Sequence, residues 1–476
     1  MASERATLYR GLLRELRQSV PPPRKVNKTI IAHFRSIAEK DNARAQMDLQ
    51  NAVLFIRAQR EHKRLLERYN PLFDLTAEER IKATARRRSE MNVDLNPVPQ
   101  ITSQETLDAL KTASHRLVNE MQTVVFPTET VYGLGALALD ANAAAKIFST
   151  KGRPPDNPLI VHVSSFNMLC SLLPPGYVIP KAYKALMKHF WPGALTLLFP
   201  RSENIPTIIT AGQSTVAIRM PSHPVARALI AVANAPLAAP SANTSGKPSP
   251  TRAEHVLRDL HGKVSLILDG GACGVGLEST VVDGLHADGN IRVLRPGGIT
   301  VEDLERVLCD EIHDMANIPK VLVHKRDYAD EKIESAPTTP GMKYRHYSPS
   351  VPVTLLLTLP NLSGDQPTTN FSDYISSSWK KAAVKGELKI GVLAATDSKF
   401  WDQIRPLDGI SWCQFPLGPL AEPAVIAHNL FDGLLSLEKD GVHLMLIEEV
   451  EESREGLAIM NRVRKAASDS IRITLD

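Results

Sequence analysis

Residues 126–163, FPTETVYGLGALALDANAAAKIFSTKGRPPDNPLIVHV, constrain the fold more than any other stretch. A β-prone run from Thr123 to Phe126 stops at Pro127 and gives way to Thr128, Glu129 and Thr130. An Ala-rich helix is expected over about Ala141 to Ser149. After it come Lys151 and Arg153, in a loop that Pro154 and Pro155 stiffen, and a second apolar strand ending near His162. A strand–helix–strand unit with polar groups crowded at its strand ends is how an α/β protein presents a site, outside the carboxyl ends of its strands.

The alternation continues to about residue 310. After a helix near Glu105 to Met121, strands are expected at 123–126, 158–163, 195–199, 215–220, 237–240, 264–268, 279–283 and 291–295. Helices over Pro180–His189, Pro224–Ala233 and Arg252–Leu260 fill several of the gaps, and the sum is a mixed α/β sheet. Residues 351–476 alternate again, with strands at 352–357, 388–394 and 442–447 and helices at 423–438 and 455–468. This reads as a small Rossmann-like α/β domain without a glycine fingerprint, suited to docking or regulation. Residues 315–350 join the two as a linker. Its stretch SAPTTPGMKYRHYSP has three prolines, yet it also carries Lys343, Tyr344, Arg345, His346 and Tyr347, ligand-binding residue types that a spacer does not need.

Residues 1–88 read as a three-helix bundle. Leu8, Leu12, Leu13 and Leu16 form one apolar stripe, and Pro21, Pro22 and Pro23 end that helix. Asn27 caps a second helix carrying Ile30, Ile31, Phe34 and Ile37. A longer basic helix from about Ala43 to Arg68 turns Leu49, Val53, Ile56 and Leu65 inward, and Thr76-x-x-Glu79 makes a capping box further on. Residues 89–104 are polar and Pro-containing, and form a linker.

Composition narrows the function classes. At 476 residues there is room for two to four domains, and a 43% hydrophobic, 23% charged chain is ordinary globular protein. No run of 18 apolar residues occurs, so no membrane span is expected. The start lacks the apolar core of a secretory signal, and Glu4 and Glu15 make it a poor transit peptide. Four scattered cysteines without a C-x-x-C pair offer neither a zinc site nor a disulfide framework, which suits a reducing compartment. Residues 1–95 hold 20 Lys/Arg against 12 Asp/Glu, so in a chain of net charge +4 the remainder is −4. A basic site in that remainder is a local arrangement.

Gly133-x-Gly135-x-x-Ala138 resembles a dinucleotide fingerprint, but PTETVY separates it from the preceding strand, and Ala136–Leu139 itself looks like strand. No G-x-x-x-x-G-K-[ST], H-E-x-x-H or G-x-S-x-G is present. Four polar clusters remain, each at a strand end. They are Thr128-Glu129-Thr130; Lys151-x-Arg153 with Asn157 and His162; Arg219 with PSANTSGKPSPT (Pro240 to Thr251); and GLEST (Gly276 to Thr280) with Arg295-Pro296-Gly297-Gly298. Singly, each could be a solvated turn or a structural histidine. Together, three arginines and a lysine on strand-end loops of an acidic region suggest a polyanion held in forked geometry. No activated nucleophile with a partnered base stands out. Nucleotidyl transfer fits, because it relies on positioning and charge neutralisation.

The ordered motifs FPTETVYGLGA, KGRPPDNPLIVHV, TVAIRMPSHP, APSANTSGKPSPT, ILDGG, GLESTVV and RPGGIT resemble the YrdC-like domain of threonylcarbamoyl-AMP synthases. PGMKYRHYSP and the trailing α/β region resemble the longer, two-domain form. The resemblance implies a YrdC-like mixed twisted sheet over 105–314, a linker over 315–350 that closes the active site, and a C-terminal Rossmann-like domain over 351–476. It further implies that L-threonine, bicarbonate and ATP, with Mg2+ held mainly by the ATP phosphates, give L-threonylcarbamoyl-AMP and pyrophosphate. The product then passes to a separate threonylcarbamoyl transferase complex acting on tRNA. By the same resemblance Thr130, His162, Arg219, Ala239 and Ser279 hold threonine, with Arg219 on its carboxylate. Arg153, Asn157, Thr215, Ser241, Ser249, Arg295 and Tyr347 hold ATP, and Lys151 and Arg153 carry the charge work of catalysis.

The opening LYRGLLRELR resembles the LYR-motif family of small mitochondrial proteins, most closely its ATP-synthase assembly factors. That implies a small all-α bundle over 1–88 that binds an acyl carrier protein or an assembly client. Two other functions stay open here: a non-catalytic module binding double-stranded RNA or tRNA, and an assembly factor acting through residues 1–88. The enzyme resemblance implies cytoplasm and the N-terminal one mitochondria.

Overall fold

In this computed structural model the described residues are 2–19, 28–40, 44–53, 56, 101, 103–313, 318–324, 326–328, 346–359, 368–382 and 387–474. The chain divides into two compact units, Met1–Arg80 and Ile81–Asp476.

In the first unit the helices Ala2–Ser19 and Lys28–Ala38 are present, and residues 44–53 are helical. Leu12, Ala45 and Leu49 are buried, and the Tyr9 hydroxyl donates to the Ile31 carbonyl at 3.5 Å, tying the first helix to the second. Of the apolar residues that the second helix carries, Ile31, Phe34 and Ile37 are half-buried and Ile30 is exposed. Leu65, the Thr76-x-x-Glu79 capping box and the linker 89–100 lie outside the described residues.

The second unit holds two sheets. The first has nine strands among the described residues: β1 (Val124–Phe126), β2 (Gly133–Leu137), β3 (Ile160–His162), β4 (Leu195–Pro200), β5 (Thr215–Arg219), β6 (Leu237–Ala238), β7 (Thr280–Asp283), β8 (Ile291–Arg295) and β9 (Val321–Val323). Their spatial order is β1-β2-β6-β3-β5-β4-β7-β8-β9, with β3/β5, β4/β7 and β8/β9 parallel and the other pairs antiparallel. The expected strand at 264–268 does not form; only an isolated bridge joins Ile267 to Val125. Conversely, part of the stretch read as linker, Val321–Val323, is the edge strand β9, too short and isolated an apolar run to stand out beside prolines and charges.

Gly133 and Gly135 belong to β2 and serve packing. A Cβ on Gly135 would come within 2.5 Å of the Phe126 ring, so the Gly-x-Gly pattern reflects close approach to an aromatic neighbour.

The second sheet is parallel throughout, in the order β11-β15-β10-β14-β12-β13, with β10 (Val353–Leu357), β11 (Thr368–Thr369), β12 (Leu388–Ala394), β13 (Ile410–Pro416), β14 (Leu444–Glu448) and β15 (Asp469–Ile473). Helices Pro423–Lys439 and Glu455–Ala466 cover one of its faces. One apolar cluster unites Val131 and Leu277 from the first sheet's loops with Ile426, Leu430 and Phe431 from the second domain. Polar contacts reinforce that junction: Arg252 and His255 face Asp432, and Arg258 Nη2 donates to the Leu435 carbonyl at 3.0 Å. No helix among the described residues is long and apolar enough to cross a membrane.

Candidate functional site

The helix Ala141–Lys151 sets the first cations. Asp140 caps its start by accepting from the Ala143 N–H at 2.8 Å. Gly152 ends it in the left-handed region at φ 61°, a conformation that favours glycine. Lys151 therefore ends the helix and Arg153 starts the return. Lys151 is buried and its Nζ donates to the Ser241 and Asn243 carbonyls, while its own carbonyl accepts from the Ser245 N–H at 2.9 Å. Burial, then the neighbouring Arg153 charge, holds the Lys151 ammonium well below its usual pKa.

Arg153 is anchored by its own loop. Nε donates to the Asn157 carbonyl at 3.0 Å, and Nη2 donates to Asn157 Oδ1 at 2.6 Å and the Pro158 carbonyl at 2.7 Å. Burial, then Arg295, brings its pKa down to about 9, so it remains a cation at neutral pH. Asn157 thus stands behind Arg153 as its orienting partner.

Across the sheet, Arg219 at the end of β5 donates Nη1 to Thr130 Oγ1 at 2.8 Å and Nη2 to Glu129 Oε1 at 2.5 Å. Glu129 Oε2 accepts the Ser222 and His223 N–H groups at 3.0 and 3.3 Å. Burial pushes the Glu129 carboxyl up and Arg219 more than offsets it, leaving it below the ordinary carboxylate range. His162 is buried with Nδ1 3.1 Å from the Ile160 carbonyl; burial and then Arg219 bring its pKa down to about 3, so the imidazole is neutral. On β7 and β8, Arg295 Nη2 donates to the Ser279 carbonyl at 2.8 Å, and Ser279 Oγ lies 2.7 Å from Thr196 Oγ1.

These groups line one cleft. Of the residues named from sequence, Thr130, Lys151, Arg153, His162, Arg219, Ala239, Ser241, Ser249, Ser279, Arg295 and Tyr347 line it. Asn157 and Thr215 do not: the first backs Arg153, and the second opens β5 opposite Pro200, with Oγ1 buried and lacking a partner among the described residues. Tyr347 adopts φ 64°, is buried, and sets its ring 5.3 Å from that of Phe431. The neighbouring Ser348 N–H donates to the Gly246 carbonyl at 2.8 Å, fastening this segment to the cleft's serine-rich loop.

Among the described residues, the lining of the cleft holds Lys151, Arg153, Arg219, Lys247 and Arg295 with one carboxylate, Glu278. That carboxylate is engaged: Oε1 accepts from Ser249 Oγ at 2.6 Å and Oε2 from Arg462. Glu129, Glu278 and Arg462 are the structural residues that sequence reasoning left without a role. Arg462 did carry a signal, since it interrupts the apolar stripe Ala458, Ile459, Val463 and Ala466 of its helix. No group of three or more His, Cys, Asp or Glu among the described residues could hold a metal ion. The buried Cys273 thiol is pushed up to about 12 by burial and is chemically quiet.

Fold and site define a two-sheet α/β protein whose cleft is lined with cations for an anionic ligand. Residues 116–297 match the family described as Telomere recombination, residues 299–468 the Threonylcarbamoyl-AMP synthase, C-terminal domain, and residues 6–88 the Complex1_LYR-like family. A Schizosaccharomyces pombe threonylcarbamoyl-AMP synthase is 45% identical over 389 residues, 77% of this chain and 90% of the relative. The Pyrococcus abyssi threonylcarbamoyl-AMP synthase is 43% identical over 350 residues, 74% of this chain and 92% of the relative. A crystal structure of P. abyssi Sua5 complexed with L-threonine is similar at a TM-score of 0.60 and 40% identity, covering 76% of this chain and 95% of that one. The chain belongs to the threonylcarbamoyl-AMP synthase family.

Proposed function

We propose that this cleft joins L-threonine, bicarbonate and ATP into L-threonylcarbamoyl-AMP, releasing pyrophosphate and water, as the first step of threonylcarbamoyladenosine formation in tRNA. The observation that carries the reading is the convergence of five cationic side chains on a cleft whose one lining carboxylate is already paired. The threonine amine captures bicarbonate as a carbamate with loss of water. A carbamate oxygen then attacks the α-phosphorus, and the P–O bond to pyrophosphate breaks. Thr130, His162, Arg219, Ala239 and Ser279 would form the amino-acid end. Neutral His162 offers hydrogen bonding without repelling an ammonium, and Arg219, held by Glu129, supplies a fixed cation for the carboxylate.

Lys151, Arg153, Ser241, Ser249, Arg295 and Tyr347 would form the nucleotide end, with Asn157 orienting Arg153. ATP would enter as its Mg2+ complex, the ion carried by its phosphates. Charge building on the leaving pyrophosphate meets guanidinium groups already oriented, which lowers the barrier without reorganisation. Loss of one such contact costs several kcal/mol of transition-state stabilisation, about 10²–10³ in kcat. Arg153→Ala should therefore lose pyrophosphate release that depends on both L-threonine and bicarbonate, measured with purified full-length protein. Near-normal turnover in that variant would sink the assignment.

A further inference from the structure

We propose that Arg462, on the helix Glu455–Ala466 of the C-terminal domain, is a positioning residue for the nucleotide-facing wall of the cleft; this rests on the synthase reading above. Arg462 is fully buried and is not among the residues lining the cleft. Its Nε and Nη2 donate to Glu278 Oε2 at 3.1 and 3.0 Å, and Nη1 donates to the Pro296 carbonyl. Its guanidinium carbon lies 5.8 Å from the centre of the Tyr347 ring.

Those contacts fall beside cleft residues supplied by separate stretches of chain. Glu278 immediately precedes Ser279, and Pro296 immediately follows Arg295, so one guanidinium holds both strand ends whose Arg295–Ser279 contact shapes the wall. Through Glu278 it also fixes Ser249, and through its face it supports Tyr347. The bond from Arg462 to Glu278 spans 184 residues and crosses from the second domain to the first. The planar guanidinium reaches the carboxylate and the carbonyl from separate nitrogens held in one fixed fork, a geometry that the single ammonium of a lysine does not reproduce. Other links across the junction, such as Arg252 to Asp432 and Arg258 to the Leu435 carbonyl, join residues that do not line the cleft. Docking alone does not account for a buried charge behind the wall. Ser279 has a second anchor in Thr196, independent of Arg462, so the threonine end should be less affected than the nucleotide end.

The experiment uses full-length protein and four variants: Arg462→Met, Arg462→Lys, the Glu278→Gln/Arg462→Met pair, and Arg252→Ala as a junction control. KM for ATP and for L-threonine, kcat, and affinity for a non-hydrolysable ATP analogue by calorimetry are measured for each. Arg462→Met should raise the ATP KM and the analogue Kd about tenfold to a hundredfold, since small misplacement of binding groups costs that much. The threonine KM should stay within about twofold of wild type on the same argument. Arg462→Lys should not restore ATP affinity, and the paired variant should regain thermal stability but not ATP affinity. Arg252→Ala should leave both constants unchanged. Wild-type ATP KM and analogue affinity in Arg462→Met, or in the paired variant should the single one not fold, would overturn the proposal. Absence of threonine-dependent turnover in the wild type would instead count against the synthase reading, while the analogue affinities still decide Arg462.

Discussion

In the nine-stranded sheet two carboxylates at the site face guanidinium groups: Glu129 meets Arg219 and the buried Glu278 meets Arg462. In the six-stranded sheet, Glu448 at the end of β14 is buried against hydroxyls instead. Its Oε1 accepts from Ser398 Oγ at 2.7 Å and Thr358 Oγ1 at 3.3 Å, and its Oε2 has no partner among the described residues. The difference shows where charge is put to use. An all-parallel sheet is the topology that most readily offers a ligand site at its strand ends. Here the cation-lined cleft lies in the mixed sheet, and the domain of the parallel sheet reaches it from its helices, through Arg462 and Phe431. Regularity of topology is therefore a poor guide to where this protein does its chemistry.

The contrast is broken most forcefully at Glu129. If paired burial holds the first site together, Glu129→Gln leaves Arg219 charged and uncompensated in a buried position. Breaking a buried pair from one side costs about 3–5 kcal/mol. The expected result is a large drop in melting temperature at pH 7. The pH dependence follows from the sign of the shift: with its folded pKa depressed, Glu129 stabilises the protein above the unfolded carboxylate pKa, and that contribution is lost as pH falls through the folded value. The variant should therefore lose part of the wild-type acid limb. A stability–pH curve merely displaced downward, with that limb intact, would show that the Glu129–Arg219 pair is not what the fold depends on.

A second test concerns Lys151, which is buried and whose Nζ donates to two backbone carbonyls. Its pKa is depressed in the free protein, burial first and Arg153 second. A polyphosphate placed beside it favours the charged form, so the bound pKa is higher. Between the two values, binding takes up one proton, and the Kd for ATP should rise about tenfold per pH unit as pH increases. Calorimetry in buffers of different ionisation heat measures that uptake directly. Lys151→Met should abolish the uptake along with much of the affinity. Proton-neutral binding by the wild type across the alkaline range would show that Lys151 does not meet the phosphates.

Local chemistry was readable in the sequence, and long-range pairing was not. The helix Pro224–Ala233, opened by its proline, and the strand Leu388–Ala394 fall where their apolar patterns place them. β13 escaped notice because ISWCQFP is half-exposed and mixes polar with aromatic residues, and β15 because it follows its helix with only Ala467 and Ser468 between. At the site, cations on strand-end loops announced themselves by type and position. Their carboxylate partners did not. Glu129 and Arg219 are 90 residues apart and Glu278 and Arg462 are 184, and no local pattern encodes such a pairing. Thr215 shows the converse limit, since a plausible residue type at the start of β5 sits at the opposite end of that strand from Arg219 and does not line the cleft.

The smallest expected effect, and the one that sharpens the contrast from the other side, lies at Glu448. Burial raises its carboxyl pKa, and the hydroxyls of Ser398 and Thr358 offset this only in part. A carboxyl whose folded pKa is raised stabilises the fold at acid pH, and that contribution is lost as pH rises from the unfolded value through the folded one. Glutamine is uncharged at every pH and nearly isosteric, and its carbonyl can still accept from both hydroxyls. Glu448→Gln should therefore raise the melting temperature slightly at pH 7, leave it unchanged near pH 4, and leave pyrophosphate release untouched. Paired with Glu129→Gln, the same chemical change should then have opposite signs in the two sheets. A fall in melting temperature at pH 7 would mean that the ionised Glu448 has a partner that stabilises it, and the contrast between the sheets would collapse.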